Sequence, residues 1–261
     1  MQDTAEKIAQ LRATLAAQGL ETLEHRAPIP LGHDAADACL KGGLRSGALH
    51  EVFALAGHEA SATGFAAGLA ARAAGKKPIL WIRQDFSALE FGEISATGFL
   101  EFGLDPSRML LLAMAHAEDA VRAATDALSC AALGAIVIEI LGEPKILDMV
   151  TSRRLTLACA QKNVTAFLLR FGATPDASTA ETRWLIRTAP SPARDENWGC
   201  PAFKTELIRN RHGRTGQWVM EWNCDDGVFR TADRGAVVSP SFDRQAAAAL
   251  ESADGIFRSV A

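Results

Sequence analysis

The stretch Gly57-His58-Glu59-Ala60-Ser61-Ala62-Thr63-Gly64 stands between a strand-like run and a helix-like one, which is the setting of a phosphate-binding loop. Such a loop reads G-x-x-x-x-G-K-[ST]. Its glycines let backbone N–H groups close around phosphates, its lysine neutralises the β/γ oxygens and its hydroxyl holds Mg²⁺. In that frame Ala62 stands for the second glycine, Thr63 for the lysine and Gly64 for the hydroxyl residue. A charge-assisted hydrogen bond contributes roughly 1.5 to 3 kcal/mol, so the missing lysine alone weakens triphosphate binding by about one to two powers of ten. Ala62 adds a steric penalty if its position needs φ > 0. Lys76 and Lys77 are the nearest replacements, but they lie beyond the following helix. The expectation is a protein that is not an ATPase and takes no nucleotide cofactor.

Other reactive residue types do not form sites. The five cysteines include no CxxC pair, and the six histidines show no HExxH spacing, so neither a disulfide framework nor a metal centre is expected. Arg209 and Arg211, with Arg214 nearby, form a basic edge that suits a phosphate backbone or an acidic partner as well as it suits plain solvation. Among the tryptophans, Trp81 lies in a core strand, and Trp218 and Trp222 fall on one side of another. Trp198 sits in a loop, Asn197-Trp198-Gly199-Cys200-Pro201, where an aromatic side chain can anchor a partner.

The elements that must position these residues alternate. Strand 49–55, the glycine-bearing stretch 57–64, helix 65–74 and strand 79–82 form one βαβ unit. Helix 87–100, strand 109–113, helix 118–133, strand 135–140, helix 145–161 and the apolar run 164–169 follow. Short apolar strands separated by helices mean a parallel sheet covered on both faces. Beyond residue 171 the segments 183–188, 205–209 and 218–222 alternate as antiparallel strands do, with Gly213 and Gly216 bracketing a hairpin. Upstream, residues 3–17 carry Ile8, Leu11 and Leu15 on one side, an amphipathic helix, and a short helix at 34–40 closes at Gly42-Gly43. From residue 237, Pro240 and an alanine-rich stretch at 245–250 form a tail.

At 261 residues, 48% hydrophobic and 22% charged, the chain can bury one sizeable core. No apolar run approaches the roughly 18 residues that a membrane span needs. The opening Met1-Gln2-Asp3-Thr4-Ala5-Glu6 lacks the basic and apolar regions of a secretory signal, so a cytoplasmic protein is expected. A net charge of −4 argues against coating nucleic acid over the whole surface and leaves room for a local basic patch.

Together these residues resemble the RecA recombinase family and, within it, the ImuA-type proteins of the bacterial damage-induced mutagenesis cassette. Gly42-Gly43-Leu44-Arg45-Ser46-Gly47 followed by His50-Glu51-Val52 is similar to the stretch GGLPMG leading into VEI. Residues 57–64 match GPESSGKT at Gly57, Glu59 and Ser61. Residues 102–111 resemble the LGVDIDNLL connection, residues 136–139 fall on the Walker B strand, and Arg209-Asn210-Arg211 with residues 218–227 resemble the VKNK hairpin and its following strand. The likeness spans roughly residues 36–230. It implies a RecA-like three-layer α/β/α core, mostly parallel with an antiparallel extension. Residues 1–35 would be an N-terminal helical arm and linker, 36–235 the core and 236–261 a C-terminal tail.

Departures from the family fall on its chemistry. Asp85 stands for the glutamate that positions water, Glu139 for the Walker B aspartate, and Arg170-Phe171 for the nucleotide-sensing glutamine. Without a loop lysine or hydroxyl, Glu139 and Asp85 read as structural carboxylates. The regions of the DNA-binding loops are shortened, at 144–151 and 172–180. What the resemblance implies is a non-catalytic accessory protein of error-prone translesion synthesis. Its partners would be an ImuB-type polymerase-like protein, a specialised error-prone DNA polymerase and RecA itself, with direct DNA contact open. The rival readings are a cell-division inhibitor of the SulA kind and an NTPase with an altered loop. The arm, on a linker containing proline, suits packing on a neighbouring protein or folding back on its own core.

Overall fold

A computed structural model describes residues 26–191 and 199–232. The amphipathic helix expected at 3–17, Trp198 and the C-terminal tail lie outside the described residues. Nine strands form one sheet in the order β3-β2-β4-β5-β1-β6-β7-β8-β9. They are β1 Leu49–Ala54, β2 Ile79–Gln84, β3 Met109–Met114, β4 Ala135–Leu141, β5 Thr165–Phe171, β6 Thr182–Thr188, β7 Ala202–Asn210, β8 Gly216–Asn223 and β9 Val228–Thr231. The first six run parallel and the last three antiparallel.

The helices are α1 Asp34–Cys39, α2 Glu59–Ala74, α3 Asp85–Phe91, α4 Ala96–Glu101, α5 Ala117–Ala127 and α6 Met149–Lys162. On one face, α2 packs its alanines against Val52, Val137, Phe167 and Trp184. On the other, α5 and α6 bring Ala120, Ala124 and Leu155 against Ile136, Ile138 and Leu168. The result is the three-layer α/β/α arrangement of a RecA-like core. Small residues let α2 approach closely, since a Cβ on Gly68 would lie 2.6 Å from Phe229 Cζ. The apolar side chains of β1, β4 and β5 are nearly all buried, as both faces of their sheet are covered.

Several boundaries differ from the expected ones for local reasons. The helix expected at 87–100 is two helices, because Gly92 takes φ 84° and Ser95 restarts the chain by accepting from Gly98 N–H. The helix expected from 145 begins at Met149, capped by Asp148, whose carboxylate accepts from Thr151 N–H at 2.8 Å. The helix expected to reach 133 ends at Ala127. Segment 183–188 is a sixth parallel strand beside β1 and meets β7 antiparallel on its other edge. Strand β9 was not foreseen; it buries Phe229 against Phe65 and Trp222. Residues ahead of α1 join the core as well, through the Ile29–Leu44 bridge and the fully buried Leu31.

Candidate functional site

The stretch that frames as a phosphate loop is mostly helix. Helix α2 starts at Glu59, leaving residues 55–58 as the connection from β1, and the helix expected at 65–74 is longer by six residues. Alanine has the highest helix propensity and glycine nearly the lowest, so with Ala60, Ser61 and Ala62 in sequence nothing opens the loop. Ala62 N–H bonds to His58 C=O at 3.0 Å, and Thr63 Oγ1 donates to Glu59 C=O at 3.0 Å. These groups bond within the helix. Gly57 keeps a left-handed φ of 82°, while Ala62 is an ordinary helical residue, so the steric penalty raised for it does not arise. Strand β6 seals the start of the helix: Thr188 Oγ1 lies 3.0 Å from His58 Nδ1 and 2.8 Å from Ser61 Oγ.

At Gly64, a Cβ would come within 2.8 Å of Phe102 Cζ and 3.4 Å of Phe203 Cε1. The Phe102 ring takes the space into which a Thr or Ser side chain would grow.

Glu139 and Arg83 face each other across the parallel β2–β4 register, both buried, with Arg83 Nη2 3.1 Å from Glu139 Oε1. Trp81 Nε1 donates to Glu139 Oε2 at 3.0 Å, and both Nη groups of Arg83 reach Gly92 C=O at 3.2 Å. The Walker B position therefore holds a carboxylate neutralised by an arginine, the arrangement that allows such a charge to be buried. Arg83 Nε and Glu139 Oε1 make no hydrogen bond. Both residues line a cavity of about 320 Å³ with Thr63, Gly64, Phe99 and Phe171.

Asp85 opens α3 as an exposed residue in its first turn, where a negative charge suits the helix dipole. Arg170 donates to Gly142 C=O at 2.9 Å and lies 5.7 Å from the Phe53 ring centre. Burial pulls its guanidinium below the usual arginine range, against the opposing pull of Glu51 and Glu143. Phe171 packs edge-on to Phe91 at 5.0 Å. The chain after β4 is tied to the chain after β5, where Glu143 Oε1 accepts from Thr174 N–H at 2.8 Å. Among the described residues no group of three His, Cys, Asp or Glu could hold a metal ion.

Arg209 is spent on Ser178 C=O at 2.9 Å, away from the other two cations of the proposed basic edge. Arg211 and Arg214 are exposed at the tip of the β7–β8 hairpin. Of the tryptophans, Trp81, Trp184 and Trp222 are fully buried, and Trp218 packs on the same core. Sequence reading missed the partnership of Arg83 with Glu139. Its signal was two charges, each inside an apolar run, that align once β2 and β4 are paired.

The chain is similar to the proteins named Protein ImuA from two strains of Caulobacter vibrioides. Each is 29% identical over 219 residues, covering 75% of this chain and 85% of the relative. The chain thus resembles Protein ImuA over most of its length. No family model matches it. The ImuA likeness takes in most of the length over which the RecA-type motifs were read. Among the described residues no helix is long and apolar enough to cross a membrane.

Proposed function

We propose that this chain serves in damage-induced mutagenesis as a RecA-like accessory protein without ATP chemistry. It would act by holding partners: an ImuB-type polymerase-like protein, a specialised error-prone polymerase and RecA. The observation that carries the reading is the Arg83–Glu139 pair, in which a fixed guanidinium meets the carboxylate that the family gives to a metal. The helical start of α2 and the Phe102 ring over Gly64 support it from the phosphate side.

The test has a biochemical and a genetic arm. Purified protein should neither bind ATP by calorimetry nor hydrolyse it with single-stranded DNA present; hydrolysis stimulated by such DNA would sink the non-catalytic reading. Deleting the gene should lower the frequency of ultraviolet-induced mutations. Unchanged mutation frequency together with altered cell division would favour a division inhibitor.

A further inference from the structure

At the amino ends of β1 and β6, opposite the Arg83–Glu139 pair, a second cavity of about 240 Å³ opens between the 41–45 loop and the β7–β8 hairpin. Arg26, Lys41, Arg45 and His212 line it, and Glu181 is the one carboxylate among its described lining residues. Glu181 Oε1 is shared by Arg45 Nε at 3.2 Å and His212 Nε2 at 3.1 Å. One negative charge is thus spread over two groups. Arg45 meets Glu181 through its Nε and is itself partly exposed. Arg26 Nη2 is anchored on Ala160 C=O at 2.6 Å while its Nη1 is buried without a partner. Lys41 is exposed, and so are Arg211 and Arg214 on the hairpin whose Asn210 and His212 line the cavity.

This cluster is prearranged. Lys41, Gly42 and Gly43 all take positive φ, and a Cβ on Gly43 would collide with Ile29 C=O at 2.2 Å, so the loop doubles back tightly beside the cavity. Asn210 Nδ2 donates to both Cys39 C=O at 3.1 Å and Arg214 C=O at 3.0 Å, and Cys39 Sγ reaches Arg214 C=O at 2.8 Å. The hairpin tip and the loop are therefore pinned to each other, with their cations on one edge of a chain whose net charge is −4.

The geometry points to a binding site for the phosphodiester backbone of DNA on this edge, formed by Arg26, Lys41 and Arg45 with Arg211 and Arg214. Guanidinium forks match phosphate oxygens in pairs, and cations spread over several elements suit a polymer of regularly spaced charges. The lining offers Pro28 and the nearly buried Leu40 as its apolar side chains, so an acidic peptide would find little to anchor on. Among the described lining residues there is no Phe or Trp, so contact with backbone and not with stacked bases is expected, and hence little sequence preference. The inference does not depend on whether ATP chemistry is absent.

Anisotropy of a labelled oligothymidylate, titrated with the full chain across a salt series, tests it. The wild type should bind, with an affinity that falls as salt rises. The variant Lys41→Glu/Arg211→Glu/Arg214→Glu changes exposed side chains and should lose at least about tenfold in affinity. Its salt slope should fall by about 2, at roughly 0.7 per lost phosphate contact on a single strand. Arg122→Glu, an exposed site on α5, should leave both values unchanged. If the triple variant does not melt cooperatively, Lys41→Glu alone should still flatten the slope. Absence of binding by the wild type, equal slopes in wild type and variant, or an equal loss in Arg122→Glu would each overturn the assignment. So would polyglutamate competing as well as unlabelled oligonucleotide, which would mark an acidic protein as the occupant.

Discussion

The two ends of the parallel sheet treat charge in opposite ways. At the carboxyl ends of β2 and β4, buried Arg83 meets buried Glu139 behind Phe99, Phe102 and Phe171, with the exposed carboxylate of Glu93 3.8 Å from the other Nη of Arg83. At the amino ends of β1 and β6, Glu181 is the one carboxylate among the described lining residues and stands with Arg26, Lys41, Arg45 and His212. A paired and enclosed charge serves the fold, because its partner is already part of the chain. A surplus held at an open edge has to be balanced by solvent ions or by a ligand. The end where a RecA-type enzyme does its chemistry is therefore the self-sufficient one.

The largest expected effect comes from breaking the enclosed pair. Arg83→Met leaves Glu139 buried without its counter-charge and should cost about 3 to 5 kcal/mol in urea unfolding. Arg83→Met/Glu139→Gln keeps an acceptor for Trp81 Nε1 and should recover most of that loss. If the single variant is as stable as the wild type, the pair is not the structural unit described.

Next in size is a pH effect at the open end. His50 is fully buried, stacked on Phe167, with Nδ1 2.7 Å from Thr182 Oγ1 and Nε2 3.0 Å from Arg45 C=O. Burial lowers its pKa from 6.5 to about 4. The unfolded chain therefore binds the proton more readily. The stability held by neutral His50 is complete above about pH 6.5 and is lost as the pH falls towards 4, by about 3 kcal/mol in all. Urea midpoints between those values should show the slope, and His50→Gln should flatten it.

Gly64→Thr would restore the hydroxyl of the phosphate-loop pattern but drive a side chain into Phe102. A loss of about 1 to 3 kcal/mol is expected, with no gain in ATP affinity by calorimetry. The smallest effect belongs to the open edge. Arg211→Glu and Arg214→Glu should each change stability by less than about 0.5 kcal/mol, since both side chains are exposed. A larger loss would mean that the edge, too, is built into the fold.

Much of this was legible in the sequence where one residue type decides one outcome. The apolar runs at 135–140 and 164–169 announced buried parallel strands, and Gly213 and Gly216 announced the hairpin. What escaped depends on pairing between distant segments. The partnership of Arg83 with Glu139 exists only once β2 lies beside β4, and the basic cavity exists only once residues 26, 41, 45, 181 and 212 meet. The early start of α2 was hidden by the loop motif itself, which invited an open turn where Ala60 and Ala62 favour a helix.

Phe102 across Gly64 also ties two distant positions together. Building the phosphate-loop pattern here would need a hydroxyl at 64, a lysine at 63 and the removal of a ring that packs on Phe203 and Trp222. Introducing the hydroxyl first meets the ring, and removing the ring first opens a void in the core. Neither order is rewarded at its first step. Positions 64 and 102 therefore act as one unit, and any redesign of this stretch has to change them together.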